Sequence, residues 1–180
     1  MTDLKDFRIA FGGLKTGYHN FNLIIGEAFF NKFEALAIDN GNIIVDLQME
    51  KKERMFVFDF SISGEVDLVC DRCLEIYQQP LQIEKTIYVK LQNGIQEIVE
   101  ESEDVILISD QDSDFDVSQL IYEFISLELP MKRIHDTDEN GKSLCNEEMV
   151  NLLENDGHQE TLNEETDPRW DALKKLKNNN

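Results

Sequence analysis

Positive charge is what this chain has least of. Seventeen Lys and Arg stand against 37 Asp and Glu in 180 residues, for a net charge of −20. Such a field repels phosphate and attracts basic partners, which argues against a sequence-independent nucleic-acid binder. From Leu91 to Met131 there is no base at all, yet eleven acids occur: Glu97, Glu100, Glu101, Glu103, Asp104, Asp110, Asp112, Asp114, Asp116, Glu123 and Glu128. Blocks of this kind form solvated or partner-facing surfaces. Cysteine is scarce too. Three residues fit no secreted disulfide framework, and Cys70 and Cys73 read as reduced thiols or metal ligands. No run approaches the roughly 18 apolar residues of a membrane span. The opening Met1-Thr2-Asp3-Leu4-Lys5-Asp6 shows no signal-peptide core, so a cytoplasmic protein is expected. Also missing are a G-x-S-x-G, an H-E-x-x-H and a Gly-rich phosphate loop. Gly12-Gly13 reads as a turn, and His19 as part of an exposed polar turn. The carboxylates are too many for any pair to be informative as acid and base. No catalytic residue and no cofactor is nominated, and a non-enzyme is expected.

What is there suffices for one core, since 41% of residues are hydrophobic and 9% aromatic. Met55 to Ser63 sets Phe56, Phe58, Phe60 and Ile62 against Val57, Asp59 and Ser61, the alternation of a half-buried strand. Gln82 to Leu91 repeats it with Ile83, Ile87, Val89 and Leu91, and Ile43 to Leu47 suggests an earlier strand after an Asn40-Gly41 turn. An antiparallel meander fits these spacings. Phe29, Phe30, Phe33 and Leu36 make a helical stripe over Gly26 to Leu36. Val105 to Ile108 is a compact apolar run. After the cap candidates Asp114 and Asp116, Val117, Leu120, Ile121, Phe124 and Leu127 predict a helix that Pro130 ends. The expected fold is α+β: an antiparallel sheet core with a few helices. Its domain spans 1–130, an acidic flexible arm 131–166, with a helical tendency at Glu147 to Leu153, and a short amphipathic helix 167–177.

Two constellations bear on metals. Cys70-Asp71-Arg72-Cys73 is a C-x-x-C, half of a zinc site, and the remaining candidate ligands are scattered singly as Cys145, His135, His158 and His19. A redox role would want a helix N-terminus, whereas Asp67, Asp71 and Glu75 disfavour a thiolate here. The plain alternative is a strand-to-turn corner with two small buried side chains. Asp136-Thr137-Asp138-Glu139-Asn140-Gly141, with Glu147 in the twelfth position, matches a calcium loop. It lacks an entering helix, has Ser143 where an apolar residue is usual, and has no second loop to pair with. Asp110-x-Asp112-x-Asp114 fails outright, with Phe115 at the glycine and Ile121 at the bidentate acid.

The string Gly64-Glu65-Val66-Asp67-Leu68-Val69-Cys70-Asp71-Arg72-Cys73-Leu74-Glu75 closely resembles the bacterial YceD family, named for large-subunit ribosomal RNA accumulation. The similarity continues through Phe11 to His19, Phe29-Phe30, Leu129-Pro130, Lys132-Arg133 and His135, and closes on Asp167-Pro168-Arg169-Trp170 and Leu173-Lys174-Lys175-Leu176. The resemblance implies a non-enzymatic factor in ribosome biogenesis, with Cys70, Asp71, Arg72, Cys73, Leu74, Glu75, Asp167, Pro168 and Arg169 as its motif residues. Many relatives look to carry a second C-x-x-C after the proline. This chain has Cys145 alone there, so a four-cysteine zinc set is incomplete.

The family name points to RNA, while the charge points away from it. The expected partner is therefore a basic ribosomal protein or the pre-ribosomal large subunit, met by the acids from Glu97 to Asp116 and by the arm after Asp136. Arg72 and Arg169 are expected to form structural ion pairs, with direct RNA contact as the alternative. The other reading is a metal-responsive regulator using zinc at Cys70 and Cys73 or calcium at Asp136 to Glu147.

Overall fold

The alternation in the first half of the chain is realised as a five-stranded sheet. In the computed structural model, which describes residues 7–33, 38, 40–92 and 105–156, the chain divides into two compact units, Met1–Ile134 and His135–Asn180. The first contains, in order, β1 (Arg8–Ala10), β2 (Gly17–Ile25), α1 (Glu27–Phe30), β3 (Asn40–Lys51), β4 (Met55–Val69), β5 (Ile76–Gln92), β6 (Val105–Ser109), β7 (Asp114–Asp116) and α2 (Ser118–Glu128). The second contains α3 (Glu147–Asp156), at the expected helical tendency, and an antiparallel bridge between Thr137 and Ser143. The expected helix at 167–177 lies outside the described residues. No helix among the described residues is long and apolar enough to cross a membrane.

The large sheet has the order β2-β3-β4-β5-β6, and β1 pairs with β7 in a small antiparallel ribbon. The fold is α+β, as expected, with one departure: β6 runs parallel to β5. The residues between them, 93–104, are a connection far longer than a hairpin turn, and a parallel neighbour requires such a return. The apolar run at Val105 is thus an edge strand of the mixed sheet. Among the described residues it pairs with Tyr88 to Gln92, and no described strand pairs with the outer edge of β5 at Pro80, where a missing N–H breaks no ladder.

Burial follows the period of two. Phe56, Phe58, Phe60 and Ile62 of β4 are at most 1% exposed, and Ile43, Val45, Leu47 and Met49 of β3 line the same face. Rings from separate segments close on the β4 phenylalanines: Phe11 at 4.5 Å from Phe56, Phe115 of β7 at 5.5 Å from Phe58, and Phe124 of α2 edge-on at 5.4 Å from Phe60. Tilted and edge-to-face pairs of this kind add about 0.5–1.5 kcal/mol each beyond the area they bury. The α2 stripe is largely the expected one: Val117, Ile121 and Phe124 are buried and Leu120 packs against the core, joined by Tyr122 and Ile125, while Leu127 in the last turn is 81% exposed. Asp116 accepts bonds from the Ser118 amide (2.9 Å) and hydroxyl (2.6 Å), and so satisfies one amide of the first turn. Leu129 is extended before Pro130, as the proline ring demands.

Three local expectations are corrected. His19 lies within β2, half-buried, its Nε2 2.8 Å from the Lys15 carbonyl oxygen, because Phe21, Leu23 and Ile25 supply an alternation that outweighs the polar neighbours. The described helix at Gly26 is a single turn, Glu27–Phe30, and Phe33 follows in a turn, stacked at 4.1 Å on Tyr122. Asn40-Gly41 opens β3 instead of turning. An added Cβ at Gly41 would stand 2.9 Å from the Glu65 carbonyl oxygen, so glycine is needed there for close approach of β4.

Gly64 meets the same constraint more severely. Its φ is +147°, and a Cβ would lie 2.1 Å from the Asn42 carbonyl oxygen. Gly64→Ala is expected to destabilise the protein by about 1–3 kcal/mol in chemical denaturation. Gly13→Ala, with open space around its Cβ, is expected to stay within about 0.5 kcal/mol of the parent. Equal effects at both positions would refute this account of the β3–β4 crossing.

Candidate functional site

The C-x-x-C forms the corner between the two longest strands. Val69 ends β4 opposite Ile76, which starts β5, and Cys70 to Glu75 turn between them. The Cys70 amide donates to the Glu75 carbonyl and the Leu74 amide to the Cys70 carbonyl, both at 2.9 Å. The Arg72 amide points at Cys70 Sγ, 3.4 Å away. Leu74 closes the turn with φ +62°, a left-handed conformation that costs a branched residue about 1 kcal/mol or more. Both thiols are buried, Cys70 at 0% and Cys73 at 2%, and neither is in a disulfide. The corner is not at a helix N-terminus, so the feature that activates thioredoxin-type cysteines is missing. Asp71 ties the corner to the segment after Pro130. Its amide donates to the Arg133 carbonyl (2.6 Å), its carboxylate accepts the Arg133 amide (2.8 Å), and the Arg133 guanidinium lies at 3.4 Å. Arg72 is half-buried; Leu74 and Glu75 are exposed.

The second unit closes its loop on itself. Leu144 N–H donates to the Asp136 carbonyl, Asp138 N–H to Lys142 and Gly141 N–H to Asp138, with Gly141 at φ +79°. The Asp138 carboxylate accepts the amides of Asn140 (2.9 Å) and Lys142 (2.8 Å). The Lys142 ammonium sits on Glu147 and holds its carboxyl below the usual range, while the same hydrogen bond raises the lysine. Asn146 caps α3 by accepting from Glu148 at 3.0 Å. The third and twelfth positions of the calcium pattern are therefore bonded to the loop's own amides and ammonium, and no helix leads directly into the loop, since α2 ends at Glu128. Cys145, buried, and His135, half-buried, meet across this loop with Sγ 3.8 Å from Nδ1.

Acids gather elsewhere than expected. Residues 97–104 lie outside the described set. Asp114 and Asp116 face Arg8 across the β1–β7 ribbon at 3.2 and 3.8 Å, and Asp112 accepts the Ser109 amide in a turn. The open face of the five-stranded sheet instead carries a shallow concavity of about 420 Å³ lined by Asn20, Asp46, Gln48, Asp59, Ser61 and Glu84. None of its lining residues is basic. Neutral partners hold the three carboxylates: Asn22 on Asp46 (2.7 Å), Thr86 on Asp59 (2.6 Å) and Ser61 on Glu84 (2.7 Å). Each donor satisfies one lone pair, leaving further acceptor capacity toward solvent.

The family model described as "Large ribosomal RNA subunit accumulation protein YceD" matches residues 58–177, two thirds of the chain. The chain belongs to the YceD family. No curated protein and no solved structure matches it. The family name implies a role in accumulation of large-subunit ribosomal RNA. The YceD match takes in the Cys70 corner, α2, His135 and Cys145, together with Asp59 and Glu84 of the concavity, but not Asp46. The motif residues Asp167, Pro168 and Arg169 fall within it and outside the described residues. The sheet-face carboxylates were missed from sequence. Their signal was the polar half of each alternation, which places Asp46, Asp59 and Glu84 on one face once the register is known.

Two outcomes are expected. Asp71→Ala removes a charge-assisted bond and should cost about 1–2 kcal/mol, with faster amide exchange at Arg133; unchanged exchange would show that Asp71 does not pin this segment. Calcium titrated to about 1 mM, the weak end of such loops, should leave heat and α3 amide shifts unchanged. Saturable binding lost in Glu147→Gln would reverse that reading.

Proposed function

We propose that this YceD protein serves large-subunit ribosomal RNA accumulation by binding, without catalysis, a basic ribosomal protein on the open face of its sheet. The observation that supports this most is the concavity whose three carboxylates, Asp46, Asp59 and Glu84, have no basic residue among their lining neighbours. A basic segment laid there would meet carboxylates on three adjacent strands, spaced by about 4.8 Å per strand. Flanking it, Tyr18 (68% exposed) and Tyr88 (39%) offer flat surface for the aliphatic stems of Lys and Arg or for stacking on their charged ends. The net charge of −20 adds steering for a basic partner and repulsion for RNA. The surface expected at Glu97 to Asp116 gives way to this one in the proposal, because Asp112, Asp114 and Asp116 are engaged within the fold.

The test is affinity capture of the tagged protein from its own lysate at low and moderate salt, with and without ribonuclease. Salt-sensitive, ribonuclease-resistant recovery of a basic large-subunit protein is expected. The combined Asp46→Lys, Asp59→Lys and Glu84→Lys variant should weaken that binding at least about tenfold, or ~1.4 kcal/mol. Recovery only through intact ribosomal RNA, or full binding by the triple variant, would overturn the proposal.

A further inference from the structure

We propose that this chain pairs with a second copy of itself through the outer edge of β2, so that the two large sheets become one continuous sheet. β2 stands at the end of the large sheet, and among the described residues no strand lies beyond it. An edge strand presents a row of unpaired N–H and C=O groups, and folds guard such rows with charged side chains, proline or short length. β2 has none of these guards. It runs nine residues, Gly17-Tyr18-His19-Asn20-Phe21-Asn22-Leu23-Ile24-Ile25, without an acid, a lysine, an arginine or a proline, in a chain of net charge −20.

The sheet's own register decides which backbone groups face outward. The Lys52 amide donates to the Met55 carbonyl, so even-numbered residues of β3 bond β4 and odd-numbered ones bond β2. Carried across the β2–β3 register, this turns the backbone groups of Tyr18, Asn20, Asn22 and Ile24 away from β3. Two copies that meet antiparallel with the whole strand overlapping must centre on Phe21. Tyr18 then lies opposite Ile24 of the second copy and Asn20 opposite its Asn22. Each of these pairs joins two outward-facing residues, as an antiparallel ladder requires.

Side chains agree with that register. Tyr18 and Ile24, both more than 60% exposed, share the open face and stand equally far from Phe21. Each exposed aromatic therefore meets an exposed β-branched residue, a favourable cross-strand pair. On the opposite face Phe21 meets Phe21, and His19 meets Leu23. Phe21 and Leu23 are only half-buried at the margin of the core, and the pairing completes their burial. The first charges beyond the strand are Lys15 and Glu27, both exposed, of opposite sign and equally far from Phe21. Antiparallel pairing brings Lys15 of each copy to the end where the other carries Glu27, and this complementarity selects a second copy as the occupant. A basic strand would find no carboxylate on β2. The opposite edge strand, β6, is bounded in sequence by Asp104 and Asp110, so two copies meeting there antiparallel would set acid against acid. The pairing at β2 does not depend on what the acidic concavity binds.

The experiment is sedimentation equilibrium of the full chain, reduced and at physiological salt, from about 1 µM to about 1 mM. A reversible monomer–dimer equilibrium without higher species is expected. Tyr18→Lys combined with Ile24→Lys sets lysine against lysine at the seam and should weaken the dimer at least about tenfold, as should Tyr18→Glu combined with Ile24→Glu. Both positions are exposed, and thermal unfolding of each variant checks that its monomer is folded. Mixed in equal amounts, the lysine and glutamate variants should form a heterodimer at least as tight as the parent dimer, a rescue that a folding defect cannot produce. A chain monomeric throughout the range would leave the edge to a strand of another protein and overturn the proposal. A dimer unchanged in both variants, or a mixture that fails to restore it, would overturn it equally.

Discussion

The buried phenylalanine ladder of β4 is the constraint on which the first unit depends. Phe56, Phe58 and Phe60 project from one face of the central strand, and each receives a ring from a part of the chain distant in sequence. Phe11 follows β1, Phe115 belongs to β7, and Phe124 belongs to α2, so the ladder joins the beginning of the chain to residues more than a hundred positions later. Removing one ring leaves a cavity and also unseats a separate segment. A truncation of this kind typically costs about 3–5 kcal/mol, a large share of the whole stability of a domain. The strand can carry this load because β3 and β5 flank it on both sides and satisfy its backbone.

That burial sorts the charges. With one face of the sheet committed to phenylalanine and isoleucine, every intervening polar residue is pushed onto the other face, where the register aligns Asp46 with Ser61 and Ser61 with Glu84. The acidic concavity is therefore a by-product of core alternation combined with a composition poor in bases. The acids near β7 follow a different rule, since they finish local structure: Asp116 accepts the first amide of α2, and Asp114 and Asp116 draw Arg8 onto the ribbon. A carboxylate already paired with a cation is a poorer anchor for a basic partner than one held by a neutral donor, because the partner's charge would have to displace Arg8.

What was legible in the sequence was whatever is local and periodic. The Phe56 to Ile62 alternation, the α2 stop at Pro130 and the corner at Cys70 needed only neighbours within a few residues. β2 was overlooked because His19, Asn20 and Asn22 look like a turn, although Phe21, Leu23 and Ile25 keep the period. The parallel direction of β6 could not be read, since it depends on where a long connection returns. The pairing of His135 with Cys145 was equally hidden: no fixed spacing joins them, and only the closed loop from Asp136 to Leu144 brings them together. The calcium pattern was the converse case, a string whose residue types fit while Lys142 and the loop amides take up the carboxylates of Glu147 and Asp138.

An acidic protein tied to accumulation of ribosomal RNA is consistent once competition for a shared partner is considered. Exposed carboxylates act through a screened field with a reach of about 8–10 Å at physiological salt, so each contributes little and the sum is reversible. Duplex nucleic acid carries about one charge per 1.7 Å and gains further from counterion release. A basic protein held on the sheet face would therefore pass to RNA when its site becomes available, and the factor would be left behind by its own charge. Weak, salt-sensitive binding is in that scheme a requirement of the function. Under the proposed reading, a surface with many more unopposed carboxylates would retain the basic protein and oppose its transfer to RNA.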